Sequence, residues 1–189
     1  MEESKHKKRE IIHYSHPKEH DEFYELTPEG KANLPESIQQ FLNPHHKPRV
    51  RITHNKDDNS LKARIIKSRI ADIEIYNPAC DFDYRISISI ESPWSGPEQW
   101  LVPMQANGGE RNKDRMSYRH LAYQVDLTQV SYSTKRDLEH ELEVEISVEQ
   151  IRKELNALQS GQPSRYEDLV RGLLDNVRVL CRQGTIKRR

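Results

Sequence analysis

Between Glu141 and Ile146 the chain reads Glu141, Leu142, Glu143, Val144, Glu145, Ile146, a strict alternation of carboxylate and apolar side chain. Successive residues of a β-strand point to opposite faces, so this order predicts a strand with all three Glu on one face and Leu142, Val144 and Ile146 on the other. A helix would set Glu141 beside Glu145, turn Glu143 away and scatter the apolar residues. The same period of two marks Arg49 to Thr53, Tyr84 to Glu91, Arg111 to Arg119 and Tyr123 to Thr128. The last two and the Glu strand follow one another at hairpin-like spacing, which predicts an antiparallel meander. Leu61 to Tyr76 predicts two further strands, ended by Asn77-Pro78.

The period changes near the end. Ser147 to Gln150 has the form of a capping box opening a short helix with Val148, Ile151, Leu155 and Leu158 along one side. Ser164 to Glu167 opens a longer one, with Tyr166, Leu169, Val170, Leu173, Leu174, Val177 and Cys181 on one face. Both helices are expected to cover the apolar outside of the sheet. Residues 1–45 read as a poorly or partly ordered segment, with a short helix between Pro35 and Leu42. Residues 92–110, carrying Pro93, Pro97, Pro103, Gly108 and Gly109, read as loop. The predicted organisation is an N-terminal segment 1–45, one domain over 46–184 and a basic tail 185–189, with an α+β, mainly antiparallel β fold.

Composition first pulls the other way. Hydrophobic content of 34%, charged content of 32% and a mean hydropathy of −0.95 are values ordinarily met in disordered chains. A sheet with a wet, charged inner face needs apolar residues on its outer face only, which reconciles these values with the periodicity. The net charge is zero, so any nucleic-acid contact must come from a local arrangement. The basic clusters Lys5 to Arg9 and Lys187 to Arg189 read as solvating tails, with nuclear import as an alternative use. Cys80 and Cys181 lack metal-ligand spacing and are too few for a disulfide framework, which fits a reducing cytosol or nucleus. With no apolar run of membrane-spanning length and no secretory signal, a soluble intracellular chain is expected.

Chemistry is concentrated on two stripes. Arg111, Lys113, Arg115, Ser117 and Arg119 share a face of any extended segment, and the three Glu share a face of another. Carboxylates suit a hard divalent cation such as Mg²⁺ or Mn²⁺, and Arg and Lys suit phosphate oxygens, so together they fit a metal-bound polyphosphate. The plainer alternative is a pair of solvated strand faces. His13, His16 and His20 lack partner cysteines for a metal site. His140 reads as a packed core residue, and Trp94 and Trp100 as pins holding a loop rather than stacking platforms for RNA bases.

The run Arg111-Asn112-Lys113-Asp114-Arg115-Met116-Ser117, followed by Asp126-Leu127-Thr128 and by Glu141, Glu143 and Glu145, resembles the fungal RNA 5′-triphosphatase family, the capping-enzyme β subunit of the triphosphate tunnel metalloenzyme superfamily. The similarity also takes in Arg85 to Glu91 and Asn176 to Arg182. It implies an eight-stranded antiparallel tunnel, its helices packed outside, where the terminal phosphate of nascent mRNA is removed in the first step of cap formation. By resemblance, Glu141, Glu143 and Glu145 are expected to coordinate Mg²⁺ or Mn²⁺, and Lys113 and Arg115 to hold the γ-phosphate, with Arg111 and Asp114 supporting their strand. Asp126 and Thr128 match a neighbouring tunnel strand, where Gln124 replaces a basic residue that the family can carry. Glu91 resembles the carboxylate that orients the attacking water or pairs with a cation, and Arg51 a basic wall residue.

The resemblance further implies 5′-triphosphate RNA as substrate, a guanylyltransferase partner, a homodimer and a nuclear location. The family's second Glu-x-Glu strand has no counterpart in this order; Asp72-Ile73-Glu74 has the spacing but the wrong place. The chain is therefore expected to be an N-terminally truncated catalytic domain with two open sheet edges. Two rival functions follow, a phosphate-binding capping-complex subunit with impaired catalysis and a tunnel-fold inorganic or nucleoside triphosphatase.

Overall fold

The segments with a period of two pair with one another in registers that keep their polar residues on one face. A computed structural model describes residues 11–42, 47–104, 109–134 and 136–185. Nine strands make one antiparallel sheet: β1 (His13–Ser15), β2 (Lys18–Leu26), β3 (Arg49–Asn55), β4 (Leu61–Ile75), β5 (Tyr84–Pro93), β6 (Leu101–Pro103), β7 (Glu110–His120), β8 (Tyr123–Ser131) and β9 (Glu139–Ile146). The order across the sheet is β5-β4-β3-β2-β7-β8-β9, with β1 added to β7 and β6 to β2. Four α-helices accompany the sheet among the described residues: α1 (Pro28–Ala32), α2 (Glu36–Gln39), α3 (Val148–Gln159) and α4 (Tyr166–Gly184).

The sheet is curled. Lys67 on β4 and Glu145 on β9 lie five strand spacings apart along the sheet, roughly 24 Å if it were flat. Yet the Lys67 charge lowers the pKa of the Glu145 carboxyl, in keeping with a sheet that curls β4 and β9 toward each other. The concave face is the charged one. The convex face of β2, β3 and β4 supplies Leu26, Val50 and Ile66 to the core, where Leu34 and Ile38 from the α1–α2 region and Trp94 close over them. Ile38, Val50 and Ile66 are fully buried, each worth roughly 1.5–3 kcal/mol against exposure.

Three segments differ from the sequence expectation. Residues 11–42, read as irregular, carry β1, β2, α1 and α2, and β2 lies in the middle of the sheet. Both faces of β2 are polar, with Glu19 and Asp21 on one and His20 and Glu22 on the other, so no apolar alternation announces it. Leu61 to Ile75 forms one strand instead of two. Its register shifts between Arg69 and Ala71, a bulge that lets Asp72 and Glu74 take the face of Lys67 and Arg69. The sequence period breaks there because the strand slips by one residue, not because it ends.

Of the 92–110 stretch, Glu98–Trp100 forms a single 3₁₀ turn and Leu101–Pro103 pairs with β2. Trp94 is 5% exposed and stacks at a tilt on Trp100, 6.4 Å between ring centres, pinning this connection as expected. Ser147 caps α3 by accepting from the Gln150 N–H, at 3.3 Å. Ser164 does not form the expected box on α4. It donates to the Glu154 carbonyl of α3 at 2.7 Å and accepts from the Tyr166 N–H, tying the two helices together.

α4 is anchored at both ends. Near its start the Tyr123 hydroxyl of β8 donates to the Leu169 carbonyl at 3.0 Å, and the phenol lies where a side chain on Gly172 would stand. At its far end the Asp81 N–H from the β4–β5 connection donates to Thr185 Oγ1 at 3.2 Å, and the Phe82 ring lies against Gly184. Among the described residues no helix is long and apolar enough to cross a membrane.

Candidate active site on the concave face

β7 is the axis of the charged wall. Its register against β8 sets Lys113, Arg115 and Ser117 opposite Val130, Thr128 and Asp126, and β9 continues the rows with Glu139, Glu141 and Glu143. Register partners in antiparallel strands share a face, so cations and carboxylates meet on one surface. The two stripes read from the sequence are thus two strands away from each other on the same wall.

Arg115 sits at their junction. Its guanidinium donates from Nη1 to Asp126 Oδ2 at 2.9 Å, from Nε to Thr128 Oγ1 at 3.1 Å and from Nη2 to Glu143 Oε2 at 3.4 Å. Asp126 is 1% exposed and also accepts from Ser117 Oγ at 2.7 Å and from Gln124 Nε2 at 3.1 Å. Asp126 and Thr128 therefore spend their oxygens on holding Arg115, and the Gln124 amide is turned to Asp126.

Lys113 is more enclosed, with its side chain 3% exposed, and its ammonium lies 2.7 Å from Glu19 Oε2 and 3.0 Å from Asp21 Oδ2. Asp21 also takes a hydrogen bond from Thr53 Oγ1 at 2.6 Å and one from Arg111 Nε at 3.0 Å. Burial pushes the Asp21 pKa up, but Lys113, Thr53 and Arg111 outweigh it and hold the carboxyl below its ordinary 3.8. Arg111 also lies over the Phe23 ring, 5.2 Å from its centre.

The remaining sequence candidates fall on β3, β5 and β7. Arg51 faces the wall beside Phe23 and Ile65, and its Nε is buried without a hydrogen-bond partner. Glu91 on β5 pairs with Lys67 Nζ at 2.9 Å, one of the two roles expected for it. Asp114 points to the convex side, bonded to His16 at 2.5 Å. His13 is exposed and His20 bonds to Asn112, so the three N-terminal histidines do not converge. His140 is also exposed, with Gln129 as its neighbour, and is not a core residue: the convex face of β9 is left partly open to water there.

Glu141, Glu143 and Glu145 line one face of β9, as the alternation predicts. Consecutive members of the row are nearly two strand rises apart, about 6.6 Å, too far for one ion to touch all three. Accordingly, among the described residues no three His, Cys, Asp or Glu groups converge as a metal cage. The donor chemistry nonetheless fits a hard cation from one side. Glu145 is open to solvent, yet the wall around it and the neighbouring Glu143 and Asp126 charges push its pKa up, against Arg115 and Lys67. A cation beside this row would relieve that repulsion.

Glu19, Asp21, Thr53 and Lys67 were not among the sequence candidates. For Lys67 a signal existed, its alternation with Arg69 directly after Ile65-Ile66. For Glu19 and Asp21 the spacing of two was present but lay in a segment polar on both faces.

Comparison with known proteins agrees with this fold. Residues 1–185 match the family described as mRNA capping enzyme, beta chain. The chain is 32% identical over 176 residues to the mRNA-capping enzyme subunit beta of Schizosaccharomyces pombe, covering 90% of this chain and 51% of that protein. It is 32% identical over 142 residues to the Cryptococcus neoformans subunit, covering 73% of this chain and 34% of that one. The solved structure of the S. pombe Pct1 RNA triphosphatase in complex with the Spt5 CTD superposes with a TM-score of 0.72 at 31% identity, over 95% of this chain and 62% of that one. This chain spans about half of the length of the first of these curated relatives and about a third of the second.

Proposed function

Because this chain belongs to the mRNA capping enzyme beta-chain family, we propose that it acts as a polynucleotide 5′-triphosphatase, removing the γ-phosphate of nascent mRNA in the first step of cap formation. The observation that carries the reading is the contact at 3.4 Å between the basic and acidic strands, Arg115 Nη2 to Glu143 Oε2, on a concave wall where cations and carboxylates meet.

In the reaction a water oxygen attacks the γ-phosphorus, the bond to the β–γ bridging oxygen breaks, and the products are a diphosphate-ended RNA and inorganic phosphate. Such transfers depend on positioning and charge neutralisation. Lys113 and Arg115 neutralise the γ-phosphate oxygens. Arg111 and Arg51 line the path of the other phosphates. Asp126 and Thr128 act through Arg115 by fixing its plane, and Glu91 acts through Lys67. Family membership implies a divalent metal, and the row Glu141, Glu143 and Glu145 would hold it from one side, directly or through water, Mg²⁺ and Mn²⁺ both matching oxygen donors. When bound, it would supply Lewis-acid stabilisation of phosphate charge. The family also supports a guanylyltransferase partner, a homodimer and a nuclear setting for this chain.

A second reading, a phosphate-binding capping subunit without catalysis, is favoured by the lack of a converged metal cage among the described residues. Phosphate release from γ-labelled triphosphate-ended RNA with Mg²⁺ or Mn²⁺ separates the two. Release that vanishes in Glu143→Ala and Lys113→Ala is the expected result. Triphosphate binding without release, lost in Lys113→Ala, would select the second reading.

A further inference from the structure

We propose that Glu19 is a built-in competitor for phosphate at Lys113 and thereby sets how tightly the concave wall takes a polyphosphate. The proposal rests on the polyphosphate reading of that wall. An ammonium has three donors, and those of Lys113 face two carboxylates, Glu19 at 2.7 Å and Asp21 at 3.0 Å.

The two carboxylates are not equivalent. Asp21 is 0% exposed and is held by Thr53 and Arg111 as well as by Lys113. It cannot leave without stranding the buried Lys113 and Thr53 and the half-buried Arg111. Glu19 has a side chain 22% exposed and a longer arm, and Lys113 is its ion-pair partner among the described residues. It is the member of the trio that can turn out to water.

A phosphate oxygen arriving at Lys113 needs the donor that Glu19 occupies, or else must accept a like charge at contact distance. Polyphosphate binding therefore displaces Glu19, and the broken ion pair is subtracted from the affinity. Asp21 does the opposite, keeping the ammonium charged and aimed while the exchange takes place. One carboxylate positions the lysine and the other contests it.

The test is calorimetric titration of the whole 189-residue chain with inorganic tripolyphosphate, comparing wild type with Glu19→Gln, Glu19→Asp and the surface control Glu149→Gln. Glu19→Gln keeps the shape and removes the charge, and is expected to bind about tenfold more tightly. Glu19→Asp keeps the charge but withdraws it from Nζ, and is expected to tighten binding by less. Glu149→Gln, on the surface of α3, should match wild type. A Glu19→Gln affinity equal to or weaker than wild type overturns the proposal, because a purely supporting carboxylate would behave that way. If Glu19→Gln does not fold, Glu19→Asp decides on the same criterion. No tripolyphosphate binding by wild type removes the polyphosphate reading and this proposal together, whereas binding without tightening in the variants removes this proposal alone.

Discussion

On β7 and β2, Lys113, Arg111 and Asp21 are matched by opposite charges within 3.0 Å, and Arg115 is matched by Asp126 on β8. On β9, two strands from β7, Glu141 and Glu145 have no ion pair within 4 Å among the described residues. Arg51 on β3 likewise has a buried Nε without a partner. The sheet therefore carries its charge in two conditions, one neutralised by the fold and one left for something else to neutralise. Preorganisation explains the first, since buried carboxylates such as Asp21 and Asp126 keep their cations aimed while a phosphate arrives. Unrelieved repulsion explains the second, because carboxylates placed side by side favour a cation.

This contrast can be broken most severely at Asp21. Asp21→Ala leaves Lys113 buried with one partner fewer, and is expected to destabilise the fold by about 3–5 kcal/mol, read as a fall of roughly 10 °C in the melting midpoint. A loss below about 1 kcal/mol would mean that the neutralised centre is not structural. Acid provides a second route. The Asp21 carboxyl is held below 3.8 in the folded state, so its contribution to stability is complete above that value and is lost as pH falls through the lower folded value. Urea melts of wild type should therefore lose stability steeply below pH 3.8, and Asp21→Asn should flatten that part of the profile.

Toward the margins the effects shrink. Lys67 and Glu91 are 50% and 42% exposed, so Glu91→Gln should change stability by less than about 1 kcal/mol by chemical denaturation. Arg51→Met should stay within about 0.5 kcal/mol of wild type while weakening tripolyphosphate binding, since removing a guanidinium whose Nε has no partner strands no carboxylate among the described residues. A large stability loss in Arg51→Met would place it with the neutralised group instead.

The same contrast decides what was legible in the sequence. β9 and β7 announce themselves because each carries one chemical character on one face, three Glu or several Arg and Lys, over a clean period of two. Leu142 and Val144 behind the Glu row confirm the period on β9. β2 does not, since its convex face holds His20 and Glu22 and its concave face Glu19 and Asp21, leaving no apolar contrast to detect. Asp21, among the most deeply buried carboxylates of the wall, thus escaped notice although its partner Lys113 was found. The bulge after Arg69 hid Lys67 in another way, by breaking the alternation that would have continued its face through Asp72. The Glu row was legible as donors, but whether its members converge depends on strand rise, a dimension that residue types do not carry.

The two attachments of α4 have a geometric consequence. Tyr123 grips the helix at Leu169 and the β4–β5 connection grips it at Thr185, so 16 residues, roughly 24 Å of helical rise, run between one side of the curled sheet and the other. An α-helix hardly stretches, and the aperture of the half-barrel is therefore gauged by a fixed length, as a spacer bar gauges the opening of a frame.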